Sequence, residues 1–307
     1  MNNLHYASMK TKTRRLLQSV WNIFDTCLIS KSISGIILCI SGGSDSRALM
    51  ESIACWPNRF LKIHVVSVDH GTRTQTCQDA DDVCNRARVL GFDTAVLKMK
   101  NTKNKNEAIL RTERYRLIWE YAKKHNIDTL VTAHTLDDQA ESFIMNIVGF
   151  GGGAEGGAML DVALHQSLGS IVRPFLNFSR SYLISILTCM HINDYVKDPT
   201  NEYGNGKRVL VRKFLRLHRL PKERFAEISK RRSLELEALS FAGSKLISKK
   251  RELISIKLPI DIPEAIKFHA LKDSIRHAIP KEDLRNMRSI LNKIAKLHNC
   301  SVYIVPE

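Results

Sequence analysis

Short apolar segments alternate with longer amphipathic ones through the first two thirds of the chain. The short runs, rich in branched residues, predict strands over Gly35–Ile40, Ile63–Asp69, Thr94–Met99, Asp128–Ala133 and, more weakly, Ser170–Arg173. Apolar residues recurring at intervals of three and four predict helices over Asp45–Ala54, Gln78–Leu90, Glu107–Lys124 and Asp137–Val148. This alternation favours an α/β fold, a parallel sheet covered on both faces and joined by right-handed crossovers. Because ligands bind beyond the carboxyl ends of such strands, we expect the functional residues in the loops that follow them.

The pattern changes after a polar stretch, Asp198–Gly206, in which turn-forming residues are concentrated. Beyond it the periodicity predicts helices over Arg208–Arg219, Lys222–Leu253 with interruptions, and Lys281–Leu297. We therefore predict two domains, the parallel-sheet domain at residues 1–206 and a helical domain at residues 207–307. A glycine-rich segment, Gly149–Gly157, is predicted to be an irregular loop.

The net charge of +16 is unevenly distributed between these two parts. Residues 207–307 contain 24 Lys and Arg against 11 Asp and Glu, whereas residues 1–206 contain 23 against 20. A basic domain beside a nearly neutral one indicates a division between polyanion binding and chemistry. The alternative is a solvated helical surface that is basic without binding anything.

Two classes of protein are disfavoured by composition. No apolar run approaches the ~20 residues that a membrane span needs, and no apolar signal core follows Arg14 and Arg15. The seven cysteines are irregularly spaced and form no C-x-x-C pair, which weighs against a disulfide framework, an iron–sulfur cluster and a structural zinc site. We expect a cytoplasmic protein with no membrane partner, and the sequence leaves the oligomeric state open, a homodimer included.

A loop rich in glycine and serine follows the first predicted strand. It consists of Ser41, Gly42, Gly43, Ser44, Asp45 and Ser46. A glycine pair lets backbone N–H groups approach a phosphate, the hydroxyls add donors, and the helix that follows presents its positive end. The alternative is a tight strand-to-helix turn without a ligand.

This loop resembles the S-G-G-x-D-S fingerprint of the PP-loop ATP pyrophosphatases. Members of that family cleave ATP between the α- and β-phosphates and transfer AMP to an oxygen of their substrate. The resemblance implies that the loop binds ATP and that Asp45 helps to hold Mg²⁺, an ion that prefers oxygen ligands.

Further segments resemble the bacterial tRNA(Ile)-lysidine synthetases, in the order that family has them. They are Val68-Asp-His-Gly71, Asn106-Glu-Ala108 with Arg111, Arg114 and Tyr115, Ala133-His-Thr-Leu-Asp-Asp-Gln-Ala-Glu141, Arg173-Pro174, and Asp198-Pro-Thr-Asn201. The resemblance runs from about Ile36 to Arg212, and the D-D-Q-A-E block is its most discriminating part. Two departures stand out: Thr135 replaces a second histidine, and Gly149-Phe-Gly-Gly152 lacks the arginine of the family's R-G-S-G stretch.

The family converts the wobble cytidine of an isoleucine tRNA with a CAU anticodon into lysidine. The C2 carbonyl oxygen attacks the α-phosphate of ATP, and the ε-amine of free lysine then displaces AMP. The resemblance implies four overlapping sets of residues. They are catalytic Asp45, Arg111, Arg114, His134, Asp138 and Glu141; ATP-binding loop residues with Asp69 and His134; lysine-binding Asp137, Asp138 and Glu141; and tRNA-binding Arg173, Arg180, Arg208 and Arg212.

Alternatives remain for single residues and for the whole chain. Asp137 could simply cap its helix, His134 could be structural, and Arg208 and Arg212 could be solvated. A tRNA thiolase shares the ATP loop, but many thiolases carry C-x-x-C pairs or a catalytic cysteine. An RNA-binding protein that has lost its catalytic activity is the other alternative, and release of pyrophosphate from ATP would exclude it.

Overall fold

The structure is a computed structural model. It describes residues 10–29, 33, 35–58, 60–69, 71, 74–99, 107–150, 158–165, 168–196, 206–250, 253–275, 290–297 and 299–304. Predictions that fall on residues 70, 106, 151–157, 197–205 and 281–289 lie outside this part of the chain. No helix in the described ranges combines the length and apolarity needed to cross a bilayer.

Strands and helices alternate through the first part of the chain, as predicted. In chain order they are α1 (Thr11–Phe24, continued by a π-helical turn Asp25–Ile29), β1 (Gly35–Cys39), α2 (Ser44–Ala54), β2 (Lys62–Asp69), α3 (Thr74–Val89), β3 (Asp93–Lys98), α4 (Glu107–Lys124), β4 (Thr129–Thr132), α5 (Leu136–Ile147), β5 (Val162–His165), β6 (Gly169–Val172), α6 (Arg180–Cys189) and α7 (Lys207–Leu217). The five predicted strands are confirmed within one or two residues. α1, β5 and α6 were not predicted from the sequence.

These strands form a six-stranded sheet in the order β3-β2-β1-β4-β6-β5. The pairs from β3 to β6 are parallel, and only β5 runs antiparallel, against β6. The α/β fold class is therefore confirmed. The sheet order places β1 and β4 side by side, so the loops that follow these two strands meet at the same edge.

Both faces of the sheet are covered, because alternate residues of β1 enter different cores. Ile36 and Leu38 pack with residues of α1, α2 and α6 in one cluster. Ile37 packs with Ile118 and Trp119 of α4 in the other. A strand buried on both sides has no polar face, which explains its continuously apolar sequence.

The chain divides into two compact units between Ala226 and Glu227, not at the predicted position 206/207. The physical reason is that α7 belongs to the first unit: Val211 and Leu215 pack against Phe143 and Ile144 of α5. The division falls inside α8 (Lys222–Ser244).

The second unit contains helix, as predicted, but also a sheet that the sequence analysis missed. After α8 come β7 (Ile247–Lys250), β8 (Leu253–Leu258), α9 (Glu264–Ile275) and β9 (Cys300–Ile304), and residues 290–295 are also helical. The three strands form an antiparallel sheet in the order β7-β8-β9. Helix throughout was the wrong prediction here.

Candidate active site at the carboxyl edge of the sheet

The serine–glycine loop makes a sharp turn between β1 and α2. Gly42 has a φ of +87°, a conformation that disfavours any side chain, and a Cβ there would lie 2.8 Å from Val196 Cγ2. The backbone N–H of Val196 donates to the Gly42 carbonyl at 2.9 Å. Gly43 is the N-cap residue of α2, so the loop ends where the helix N–H groups are free to bind a phosphate.

Side chains of the loop are held in place by each other and by one distant arginine. Ser46 Oγ donates to the Gly43 carbonyl at 2.9 Å and lies 3.3 Å from Ser41 Oγ. Arg180 Nε donates to Asp45 Oδ2 at 2.8 Å. Burial raises the pKa of the Asp45 carboxyl, and the charge of Arg180 only partly opposes that shift.

A cleft of about 210 Å³ opens beside this loop. Six of the predicted site residues line it: Ser41, Asp45, Ser46, Arg111, Arg114 and His134. The Arg111 guanidinium carbon lies 5.2 Å from the centre of the Tyr115 ring, which also lines the cleft. Asp69 ends the neighbouring strand β2, is buried, and accepts a hydrogen bond from the Gly71 N–H at 2.9 Å. The fold thus brings two cations and the serine–glycine turn to one cavity.

His134 faces the cleft directly after β4. Its Nδ1 lies 2.8 Å from Thr132 Oγ1, within hydrogen-bonding distance. Burial lowers the pKa of His134 to about 4, against the opposing influence of Asp138. The imidazole is therefore neutral at pH 7, available for hydrogen bonding but a weak base.

Helix α5 begins with a capping box that does not include Asp137. Thr135 is the N-cap, its Oγ1 accepts from the Asp138 N–H at 3.4 Å, and Asp138 Oδ2 accepts from the Thr135 N–H at 2.9 Å. Capping by Asp137 is thus wrong. The departure from the family's second histidine places a capping hydroxyl at this position instead.

The three carboxylates of α5 each receive a cation from elsewhere in the chain. Glu141, only 2% exposed, accepts from Arg208 Nε at 2.8 Å and from Arg212 Nε at 2.7 Å. Asp138 Oδ1 accepts from Arg208 Nη2 at 3.1 Å. Burial by itself would raise the pKa of Asp138, but the charges of Arg208 and Arg180 outweigh it and the pKa is lowered.

Asp137 has a different kind of partner. Its Oδ2 accepts the backbone N–H of Arg180 at 2.8 Å, and its Oδ1 accepts from the ammonium group of Lys222, at the start of α8. Lys222 was not predicted as a site residue. It lies 85 positions from Asp137, and no local pattern connects the two.

The arginines predicted to bind tRNA all contact groups of their own chain. Arg173 is buried and donates to the Leu160 carbonyl at 2.8 Å. Arg180 contacts Asp45, while Arg208 and Arg212 contact Glu141. Arg208 and Arg212 are therefore not simply solvated helix positions.

A second arginine cluster beneath the loop was also missed. Buried Arg47 donates to Glu51 at 2.8 Å and to the carboxylate of Asp194 at 3.1 Å, and Arg86 donates to the same Glu51 at 2.7 Å. Together with the bond from Val196 to Gly42, these contacts fasten the segment before residue 197 to the loop. The four-residue spacing of Arg47 and Glu51 was the one local pattern that could have indicated this cluster.

Comparison with known proteins gives a consistent result. The family model of the PP-loop domain matches residues 9–220. A tRNA(Ile)-lysidine synthase of Zymomonas mobilis is 30% identical over 285 residues, covering 86% of this chain and 84% of the relative. Proteins of the same name from Methylobacterium nodulans and Bradyrhizobium diazoefficiens are 32% and 35% identical, and the chain spans 62% and 48% of their respective lengths.

A solved structure also shares the fold. The U34-tRNA thiolase NcsA from Methanococcus maripaludis, determined with its 4Fe-4S cluster, has a TM-score of 0.57 to this chain at 13% identity. The match covers 71% of this chain and 80% of the thiolase. At this identity the likeness concerns the fold alone.

Proposed function

This chain belongs to the PP-loop family and, within it, to the tRNA(Ile)-lysidine synthases. We propose that it joins free L-lysine to C2 of the wobble cytidine of a CAU-anticodon isoleucine tRNA. The observation that carries the proposal is the position of the phosphate-binding turn. It opens onto the same cleft as two arginines, beside the acidic start of α5.

The first step forms an adenylated base. The C2 carbonyl oxygen attacks the α-phosphorus of ATP, a new P–O bond forms, and the bond to pyrophosphate breaks. Negative charge on the phosphates is stabilised by the N–H groups at the start of α2 and by Arg111 and Arg114, which face the cleft. His134 is neutral, and we assign it a hydrogen bond to the nucleotide.

Asp45 is the residue suited to Mg²⁺. The ion is commonly held by one or two carboxylates together with substrate phosphates, and Asp45 presents its carboxylate to the cleft beside the phosphate-binding turn. When bound, the ion supplies neutralisation of phosphate charge. Arg180, which holds Asp45 at 2.8 Å, fixes the carboxylate at that position.

The second step replaces AMP with lysine. The ε-amine attacks C2, the C2–O bond breaks, and the oxygen leaves with AMP. We assign the ε-ammonium of free lysine first to Asp137, because that carboxylate already accepts an ammonium group, that of Lys222. Asp138 and Glu141 are held by arginine guanidinium groups and complete the negative surroundings.

The amine must lose a proton before it attacks. His134, with a pKa of about 4, is a poor acceptor for a proton from an ammonium group. A carboxylate of α5 is the better candidate. Because Asp138 and Glu141 are held by arginines, we assign the proton to Asp137, whose partner is the ammonium group of Lys222.

We also propose how the tRNA is bound and where the enzyme acts. The tRNA is held mainly through its phosphates by basic side chains, and the basic residues of 207–307 contribute to that attraction. Since ATP, free lysine and tRNA are cytoplasmic substrates, the proposal places the enzyme in the cytoplasm. A homodimer remains compatible with it.

The test is incorporation of labelled lysine into tRNA. Purified protein is incubated with ATP, Mg²⁺, labelled lysine and transcripts of the isoleucine and methionine tRNAs that share the CAU anticodon. Label is expected only in the isoleucine transcript, and Asp45→Asn should reduce it at least a hundredfold. Asp82→Asn, at an exposed position on α3, is the matched control. Incorporation without ATP would overturn the mechanism.

Thiolation is the rival reaction on the same fold. The cysteine that lines the cleft is Cys39, and burial raises the pKa of its thiol to about 12. A protonated thiol is a poor nucleophile for sulfur transfer, so this residue favours lysine transfer over thiolation. Thionucleosides in the product would reverse that preference.

A further inference from the structure

Three arginines at the site are paired with carboxylates, so other groups are needed to bind the bases of the RNA. Arg180, Arg208 and Arg212 each donate to a carboxylate of their own chain. Their charge is largely compensated within the protein. Specific reading of single-stranded RNA depends on aromatic and basic groups that are exposed.

Such groups lie on the outer face of α7. Leu210, Phe214 and Leu217 are 51%, 47% and 78% exposed, and their spacing of four and three places them on one stripe of the helix. The inner face of the same helix buries Val211 and Leu215 against α5. Three large apolar side chains in a row on water-exposed helix surface need an explanation.

The stripe continues onto the segment that follows α5. The Phe150 ring is 42% exposed, and Lys207 Nζ lies 5.2 Å from its centre. At the other end of α7, the His218 ring centre lies 4.8 Å from that of Phe214. Aromatic rings therefore occur at both ends of one apolar stripe.

The charged side chains that α7 contributes beside this stripe are all positive. Lys207, Lys213 and Arg216 are exposed, and no Asp or Glu occurs from Lys207 to Leu217. A second copy of the chain docking through this face would bring the same positive charges against it. A polyanion with flat apolar rings is complementary to both features.

We propose that this face is a stacking surface for unpaired nucleotides of the anticodon loop. We name it the α7 platform: Phe150, Lys207, Leu210, Lys213, Phe214 and Leu217. The inference rests on the proposed function, because it takes RNA as the substrate. Bases that flank the modified cytidine stack on Phe214 and Phe150, while the lysines contact the phosphates between them.

The position of the platform fits this role. Arg208 and Arg212 project from the opposite side of α7 to the carboxylates of α5. A helix with its side chains is about 10–12 Å across, a distance that two or three nucleotides can span. One base can thus reach the acidic site while its neighbours stay on the platform.

The experiment measures binding of an anticodon stem-loop RNA with a CAU loop by fluorescence anisotropy. Phe214→Ala should weaken binding roughly tenfold, and Phe214→Trp should restore it, because the loss is one of stacking. Phe60→Ala is the matched control, a phenylalanine 88% exposed just before β2 at the opposite edge of the sheet. Equal affinities of the Phe214→Ala and Phe60→Ala variants would overturn the proposal.

Salt dependence separates the two kinds of contact. Phe214→Ala should leave the slope of log affinity against log salt unchanged, whereas Lys213→Ala should reduce the slope by about one. Circular dichroism melts check that the variants fold. A change in oligomeric state with unchanged RNA affinity would instead identify the face as a protein interface and overturn the RNA assignment.

Failure of the platform and failure of the proposed function have different signatures. If RNA binding depends on Phe214 but no lysine is incorporated, the RNA-binding role of the platform is supported and the proposed lysine reaction is contradicted. If lysine is incorporated and Phe214→Ala leaves the KM for tRNA unchanged, the reaction stands and the platform falls.

Discussion

Two regions at the same edge of the sheet stabilise negative charge with different groups: one uses backbone N–H groups, the other uses side-chain cations. The proposed phosphate-binding turn, Ser41–Ser46, depends on backbone geometry: a positive φ at Gly42 and the N–H groups at the start of α2. The acidic start of α5 relies on side chains, because Asp137 and Glu141 are buried and each accepts from a cation elsewhere in the chain.

The difference predicts how each region responds to mutation. Losing a backbone feature of the turn should affect the ligand more than the fold. Removing a carboxylate of α5 leaves half-buried cations without their nearest counter-charge, so the fold itself should weaken. Four sets of variants test that contrast.

The largest effect is expected at Glu141. Glu141→Ala removes the carboxylate that accepts from Arg208 and Arg212 and should lower the free energy of unfolding by about 3 kcal/mol, because two charge-assisted hydrogen bonds are lost. Urea denaturation measures it. Glu235→Ala, which breaks an exposed pair with Arg232, should cost less than about 1 kcal/mol. Similar losses for both variants would remove the distinction between buried and exposed carboxylates.

The dependence of stability on acidic pH should show the effect of the lowered pKa of His134. Its pKa is about 4 in the folded protein against 6.5 when unperturbed, so the unfolded chain binds a proton first as pH falls. Stability is therefore lost from pH 6.5 down to pH 4, by at most about 3 kcal/mol, since water in the cleft screens part of the effect. His134→Gln should flatten the curve in that window. Parallel curves for both proteins would contradict the burial of this imidazole.

The turn is tested by Gly42→Ala. A Cβ there meets Val196 at 2.8 Å in a backbone conformation that costs about 1–2 kcal/mol, so ATP affinity should fall at least tenfold. Gly91→Ala is the matched control, with a φ of +80° and nothing within 4 Å. The control should lose similar stability but bind ATP normally, as isothermal titration can measure. Equal ATP affinity in both variants would argue against a phosphate at this turn.

The smallest effect should appear at Lys222. If its ammonium occupies the place of the substrate's, Lys222→Met should lower the KM for lysine about three- to tenfold, because an ion pair of roughly 1 kcal/mol no longer competes. Lys123→Met, exposed in the last turn of α4, should leave KM unchanged. A KM that rises in the Lys222 variant would show that this lysine supports the site instead of occupying it.

Local periodicity was sufficient to predict most helices and strands of the first unit. Elsewhere it was insufficient, for reasons that differ between elements. Two missed helices carry the expected signal, with Leu17, Val20, Trp21 and Phe24 on one face of α1. β8 also alternates, with Ile254, Ile256 and Leu258 buried, but this segment lies directly after a helical pattern. β5 consists of four residues and exists through its pairing with β6. Its stability comes from a neighbour, which no local pattern describes.

The sequence alone determined which functional side chains the protein has. It also determined that they lie in the loops at the carboxyl edge of the sheet. Strand periodicity and the S-G-G-S-D-S turn depend on residues adjacent in the chain, and the structure has them where they were predicted. The partners of the charges were decided by tertiary structure alone. Arg180 reaches Asp45 across 135 positions and Lys222 reaches Asp137 across 85. A buried carboxylate must have a cation nearby, but which cation arrives depends on how the helices pack, and that is a property of the whole fold.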